Sequence, residues 1–423
     1  MTPLVELVAR HKSGQPAGIY SLCSAHPLVI ESALHEARAS GTPLLIEATS
    51  NQVNQFGGYT GLTPAGFRSF VHDIAGRAGY PADRVWFGGD HLGPNAWRQE
   101  AAATAMSRAE ELVAHFVTAG FRKLHLDCSM SCADDPSPLP EATVAGRAAR
   151  LCAAAERAWR EHGGDAPAYV IGTEVPAPGG AGEDLLTLTV TTPEAAQATI
   201  EAHRVAFEAA DLAAAWPRAV ALVVQPGVEF DHHKVIDYRP EKARELSAYI
   251  ARTPQFVFEA HSTDYQTPEN LQALVRDHFA ILKVGPAATF ALRETLWALA
   301  AIERELPGAA AGPGLREVVA AVMRADTRHW RGYYHDPATE SFDLSYSLSD
   351  RIRYYWPHPD VQRACASMLE NLRRRPIPMT LMSQYLPRQY AAVRSGQLAP
   401  SVDALLRDGV AAALRPYIRA CGA

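Results

Sequence analysis

The chain has 423 residues, 48% of them hydrophobic and 20% charged, a composition that suits a large buried core and excludes disorder as the main state. Its formal net charge of −6 excludes the basic stripe that nucleic acid or an anionic membrane requires, though a few local arginines or lysines still suffice for a small anionic substrate. No stretch reaches the roughly 18 apolar residues of a membrane span. The start, Met1-Thr2-Pro3 with Glu6 and His11 close behind, lacks the pattern of a signal peptide, and a cytoplasmic location is expected. Cys23, Cys128, Cys132, Cys152, Cys365 and Cys421 form no C-x-x-C pair and read as reduced thiols.

Along the chain, short apolar β-rich runs alternate with longer Ala-rich helical stretches about eight times. The strands are expected near 17–23, 43–48, 84–90, 123–128, 168–174, 219–225, 255–261 and 279–284. Each run is continuously apolar, as in parallel strands covered on both faces. Eight such units across residues 1–304 predict a (βα)8 TIM barrel. A dinucleotide-binding sheet would need G-x-G-x-x-G after the first strand, where Cys23-Ser24-Ala25-His26-Pro27 stands instead, so no nucleotide cofactor is expected. Beyond about residue 305 the β signal stops. Residues 305–423 read as a helical C-terminal extension packed on the barrel, its aromatic segment 332–358 folding over the mouth and its Pro/Gly-rich piece 306–314 serving as linker.

In such a barrel the carboxyl ends of the strands converge on one site. Reading off those ends gives His26, Glu47, Asp90 with His91, Asp127, Glu174, Gln225, Glu259 with His261, and Lys283. His91 and His261, on the third and seventh strands, suit zinc, manganese, cobalt or nickel. A third ligand would be Gln225, a neutral choice, or Glu174 or Glu259, the more usual type. Asp90, Asp127 and Glu174 either exchange protons with a substrate or orient the histidines. Lys283 can form a Schiff base or, more in keeping with a metal site, neutralise an oxyanion or phosphate. The loops His261-Ser262-Thr263 and Lys283-Val284-Gly285-Pro286 occupy the usual phosphate position of barrels. The loop 176–182 is a second, weaker cradle. Arg351 and Arg353 either close on an anion or form salt bridges to the barrel. His26, Glu47, Glu259, Ser262, Lys283 and Arg351 are the expected substrate contacts. The run Asp231-His232-His233 is expected in a solvated loop.

The segments CSAHPLV, LLIEATSNQVNQFGGYTG, GGDHLGPN, LDCSMSC, GTEVPAPGG, VVQPGVEFD, FEAHSTDYQ, LKVGPA and SDRIRYYWP together resemble the tagatose-bisphosphate aldolase accessory-subunit family, in order and over essentially the whole chain. That family holds non-catalytic partners of a class II aldolase and related metal-dependent 4-epimerases of ketoses or their phosphates. The resemblance implies a metal on His91, Gln225 and His261, with Asp127 and Glu174 as acid and base. It also implies either a complex with a class II aldolase or a homo-oligomer. Because C4 of a ketose is not adjacent to its carbonyl, its hydrogen is not acidic, and cleavage of C3–C4 is the cheaper route to inversion. The expected function is therefore a divalent-metal-dependent 4-epimerase, zinc the first choice, converting D-tagatose 6-phosphate to D-fructose 6-phosphate. The alternatives are a non-catalytic stabilising subunit of a class II D-tagatose-1,6-bisphosphate aldolase, an epimerase of the unphosphorylated ketoses, and an aldolase using Lys283.

Overall fold

The computed structural model describes residues 2–15, 17–172, 188–307 and 314–422. Each of the eight expected runs holds one strand: β1 Ile19–Leu22, β2 Leu44–Thr49, β3 Val85–Leu92, β4 Lys123–Leu126, β5 Ala168–Ile171, β6 Ala219–Val224, β7 Val257–Ala260 and β8 Ile281–Val284. All pair in parallel with their neighbours in chain order, and β1 closes the ring against β8 from Ile19 opposite Ile281 to Leu22 opposite Val284. Their side chains are buried on both faces because helices cover the outside and the barrel fills its own inside. Several following helices begin on proline, as in Pro27–Ser40, Pro64–Ala78, Pro240–Ala251 and Pro286–Glu305. The missing N–H costs nothing in a first helical turn, and the fixed φ preorganises the start.

The amino-terminal end of the barrel is plugged by a helix that the sequence pattern did not announce, Pro3–Lys12. Its Leu4, Leu7 and Val8 pack with Ile19, Leu45, Val220, Val257 and Ile281 in an apolar cluster separate from the main core. The polar interior therefore opens only at the other end.

The region after β8 is helical, as expected. Its last helix, Val402–Ala420, lies against Pro286–Glu305, Pro27–Ser40 and Pro268–Arg276, spanning the seam between the first and eighth units. The Tyr417 hydroxyl donates to the Thr263 carbonyl at 2.6 Å, Gly18 N–H donates to the Cys421 carbonyl at 3.3 Å, and Arg415 pairs with Glu36 at 3.0 Å. A methyl group at Gly409 would sit 2.0 Å from Thr295 Oγ1, so only glycine permits this helix crossing.

His232 departs from expectation. Its loop carries a small antiparallel ribbon, Glu229–Phe230 with Val235–Ile236, tied to the extension rather than left in solvent. His232 Nε2 donates to the Tyr333 carbonyl at 2.9 Å and Nδ1 lies 3.1 Å from Ser347 Oγ, while half-exposed His233 meets Asp343 at 2.6 Å. Most of the expected linker, 308–313, lies outside the described residues. All six cysteines are unpaired, and no helix among the described residues is long and apolar enough to cross a membrane.

Candidate active site

Adjacent residues of a strand normally face opposite ways, yet Asp90 and His91 both turn into the barrel mouth. The register of β3 against β4 slips between Gly89 and Leu92, and His91 adopts φ +46°. Such a bulge re-aims side chains at some cost in backbone strain, a device concentrated at functional sites. On β4, Lys123 and His125 and then Asp127 alternate along the inward face, and Glu259 and His261 do the same on β7 and just beyond it.

The result is a buried cluster. Ligand atoms of Asp90, His91, His125 and His261 all lie within 4.8 Å of one another, and the three imidazole centroids are 4.9–5.3 Å apart. His91 Nδ1 is 2.7 Å from Asp127 Oδ2, whose other oxygen accepts from Ser129 N and Oγ at 3.1 and 2.9 Å. Asp127 thus fixes the His91 ring and frees its Nε2. Burial disfavours the His91 imidazolium, but Asp90 and Asp127 outweigh it and raise the pKa. Burial pushes His261 down to about 3, so that ring is neutral, with its Nε2 2.9 Å from Glu259.

Four side chains so placed fit a divalent cation by their donor types, three imidazoles and one carboxylate with ligand atoms all within 4.8 Å of one another. His125 Nε2 lies 3.0 Å from the Gly172 carbonyl, and its Nδ1 lies 3.1 Å from Asp90 Oδ1 and 3.3 Å from the His91 amide N. Beneath the histidines, Lys123 bridges Glu47 and Glu259 at 2.7 Å each, and Lys283 contacts Glu47 and lies 3.0 Å from Asp90. Four carboxylates, Asp127 included, thus meet two lysines and an imidazole whose protonated form Asp90 and Asp127 favour, an environment rich in acidic groups.

Above the cluster is a cavity of about 450 Å³. Asp90, His91, His261, Ser262, Lys283 and Arg351 line it, joined by Cys23, Asp264 and, from the extension, His329, Tyr333, Arg353 and Tyr354. Residues of the aromatic segment thus form part of the cavity wall.

Other expected site residues are placed differently. Glu47 and Glu259 are fully buried below the mouth, engaged with the lysines and His261, and do not line the cavity. His26 caps the helix Pro27–Ser40 by accepting from Leu28 N at 3.3 Å, and burial lowers its pKa to about 4. Gln225 spends its Oε1 on the Gly227 and Val228 amides at 2.8 and 3.0 Å, inside its own loop and off the cavity wall. Asp127 acts on His91 rather than on the cavity. Glu174 and the 176–182 loop lie outside the described residues. The expected phosphate loops are self-satisfied: Asp264 Oδ1 accepts from Gly285 N and Ala287 N at 3.0 and 2.8 Å. Lys283 is opposed by burial, but Asp90, Cys23, Glu47 and Glu259 hold its pKa well above the ordinary value. An amine kept protonated is a poor Schiff-base former and a good partner for an oxyanion.

Glu229, missed by sequence reasoning, is buried beside Ser262, and its pKa is raised to about 7, chiefly by burial. The folded state therefore holds this proton more tightly than the unfolded chain. Stability is fully present below the unfolded value of 4.5 and falls as pH rises through about 7, by on the order of 3 kcal/mol. Glu229→Gln should flatten that segment of a urea-denaturation stability profile between pH 4.5 and 7.5; an unchanged slope would remove Glu229 as its cause.

The fold is a closed parallel (βα)8 barrel with a buried histidine and carboxylate cluster at its carboxyl end that could hold a metal ion. More particularly, residues 4–422 match the D-tagatose-1,6-bisphosphate aldolase subunit GatZ/KbaZ-like family, and the chain belongs to that family. A crystal structure described as a probable tagatose 6 phosphate kinase from Sinorhizobium meliloti 1021 matches with 50% identity and a TM-score of 0.89, covering 96% of this chain and 100% of that one. The YdjI aldolase of Escherichia coli K12 matches with 10% identity and a TM-score of 0.43, covering 86% of this chain and 99% of that one. A fructose-bisphosphate aldolase of Campylobacter jejuni matches with 15% identity and a TM-score of 0.43, covering 87% and 91%.

Proposed function

We propose that the protein is a divalent-metal-dependent 4-epimerase interconverting D-tagatose 6-phosphate and D-fructose 6-phosphate. What supports the reading most is the joining of Asp90, His91, His125 and His261 into one buried cluster able to hold a cation, three of the four lining a sugar-sized cavity. A bound zinc, manganese, cobalt or nickel ion would supply Lewis-acid polarisation of the ketose oxygens. In the proposed route a base removes the C4 hydroxyl proton, and the C3–C4 bond breaks with its electron pair passing to C3 and on to the C2 oxygen. The C4 aldehyde then turns its other face, C3–C4 re-forms, and the proton returns to the C4 oxygen. Lys283, on the cavity wall, offers the positive charge that the C2 oxyanion needs. Asp90 is disfavoured as a base: although burial alone would raise its pKa, Lys283 and His91 hold it well below the ordinary value. Asp264, raised to about 6 mainly by burial, is the better matched carboxylate on that wall, with Glu174 as the second proton-carrying group implied by the family likeness.

Pure protein incubated with tagatose 6-phosphate should yield fructose 6-phosphate in a coupled assay. Chelator should abolish the yield, and one of the four metals should restore it. No product with any of them would end the proposal. The family description favours a second reading, a non-catalytic subunit of a tagatose-bisphosphate aldolase. Its signature would be co-purification with a class II aldolase whose half-life it extends, with no turnover of its own.

A further inference from the structure

The cavity carries a positive feature that the metal cluster does not use. Arg351 and Arg353 both line it, and Arg353 is held in place by its Nη1 donating to the Ser349 and Asp350 carbonyls and its Nη2 donating to the Tyr354 hydroxyl at 3.1 Å. Arg351 is only 5% exposed. Its Nε donates to the His329 carbonyl at 2.5 Å, while its Nη1 is buried without any hydrogen-bond partner. Its guanidinium carbon lies 3.6 Å from the Tyr333 ring centroid and 4.6 Å from that of Tyr354, and the Arg353 carbon lies 4.7 Å from the Tyr354 centroid. The two cations therefore gather around one aromatic ring, which is itself stacked on His329 at 4.8 Å. A buried guanidinium N–H left unpaired costs stability unless something completes it. The usual phosphate position of such barrels is closed to an anion here, because Asp264 already takes the Gly285 and Ala287 amides and brings its own carboxylate. As support from charge, burial would raise the Tyr354 phenol, but Arg353 and Arg351 outweigh it and hold its pKa below the ordinary value, the mark of a positive local potential.

We infer that Arg351 and Arg353 form the receptor for the anionic end of the substrate, and that this end is a phosphomonoester. The unpartnered Arg351 Nη1, with the second positive charge of Arg353 beside it, matches a doubly charged, three-oxygen group better than a singly charged carboxylate. The C-terminal extension then does more than cover the barrel: it makes the site prefer phosphorylated sugars. The inference deepens the epimerase reading, but its test needs no turnover, so an inactive protein that binds phosphate through these arginines would sink only the epimerase.

The test is calorimetric titration of the full-length protein with inorganic phosphate, glycerol 3-phosphate, tagatose 6-phosphate and, as the carboxylate arm, glucuronate. Wild type and R331M, a control at an exposed arginine, should bind the three phosphates alike. In R351M and R353M phosphate affinity should fall roughly 10- to 100-fold. R351K, which keeps the charge but not the fork, should fall by less and carries the test if R351M does not fold. Absence of phosphate binding in wild type overturns the inference. So does binding retained in both R351M and R353M, as phosphate on the histidine cluster would give. Tighter binding of glucuronate than of phosphate overturns the phosphomonoester assignment.

Discussion

Replacing His91 or His261 with alanine is expected to strip the protein of its metal and to lower turnover of tagatose 6-phosphate roughly a thousandfold or more, about 4 kcal/mol of transition-state stabilisation. Each ring is one of three imidazoles within 4.9–5.3 Å of each other, and the loss of one removes a quarter of the donor set and leaves a gap that water fills. His125→Ala should behave the same way. The fold should survive, because these side chains stand at the mouth and take no part in the apolar plug at the opposite end or in the packing of the outer helices. Elemental analysis, kcat/KM and far-UV circular dichroism on the same preparations decide the matter. A variant that keeps stoichiometric metal, or that turns over like wild type, would show that the cluster is not the centre.

The largest loss of stability is expected one layer lower. Lys123 is almost wholly buried and holds the fully buried Glu47 and Glu259 at 2.7 Å each. Burial alone would push the Glu259 carboxyl up, but Lys123 and Lys283 hold it well below its usual range, so it stays ionised. Lys123→Met removes one cation while leaving two buried carboxylates behind, and breaking a buried pair in this way costs about 3–5 kcal/mol. Urea denaturation should register it as a lowered midpoint with an unchanged slope. Adding Glu259→Gln should recover part of the loss, since the orphaned charge is then gone. A change under about 1 kcal/mol would mean that water or relaxation already screens these charges, contrary to the burial seen.

The barrel was legible in the sequence because eight apolar runs, each ending in polar residues, have few other uses, and all eight carry strands. The site was legible only in outline. His91, His261, Asp90 and Lys283 stand where the strand ends put them. Glu47 and Glu259 were read as mouth residues when they lie a layer deeper, since a two-residue period stacks inward side chains at successive depths and only the topmost reach the cavity. His125 was overlooked because it sits inside the run KLHLDC rather than at its end. The alternation of Lys123, His125 and Asp127 within an apolar strand was the available signal, for polar groups two apart must share the inward face. Gln225 and Asp127 could not be sorted from local pattern at all. Whether an oxygen turns to its own loop, to a neighbouring ring or to a ligand is settled by partners brought in from other strands. The Pro3–Lys12 plug was too short and too polar on its outer face to stand out.

The helix Val402–Ala420, lying across the seam, also sets an order of events during translation. A ribosome finishes β8 well before it emits the helix that ties Gly18 and Thr263 down. In that interval a nascent barrel can bring β8 to β1, but the junction has no bolt and its backbone edge stands open to other chains. Messages cut short ahead of Val402 leave the chain in that state for good, so this helix matters to quality control before it matters to anything at the barrel mouth.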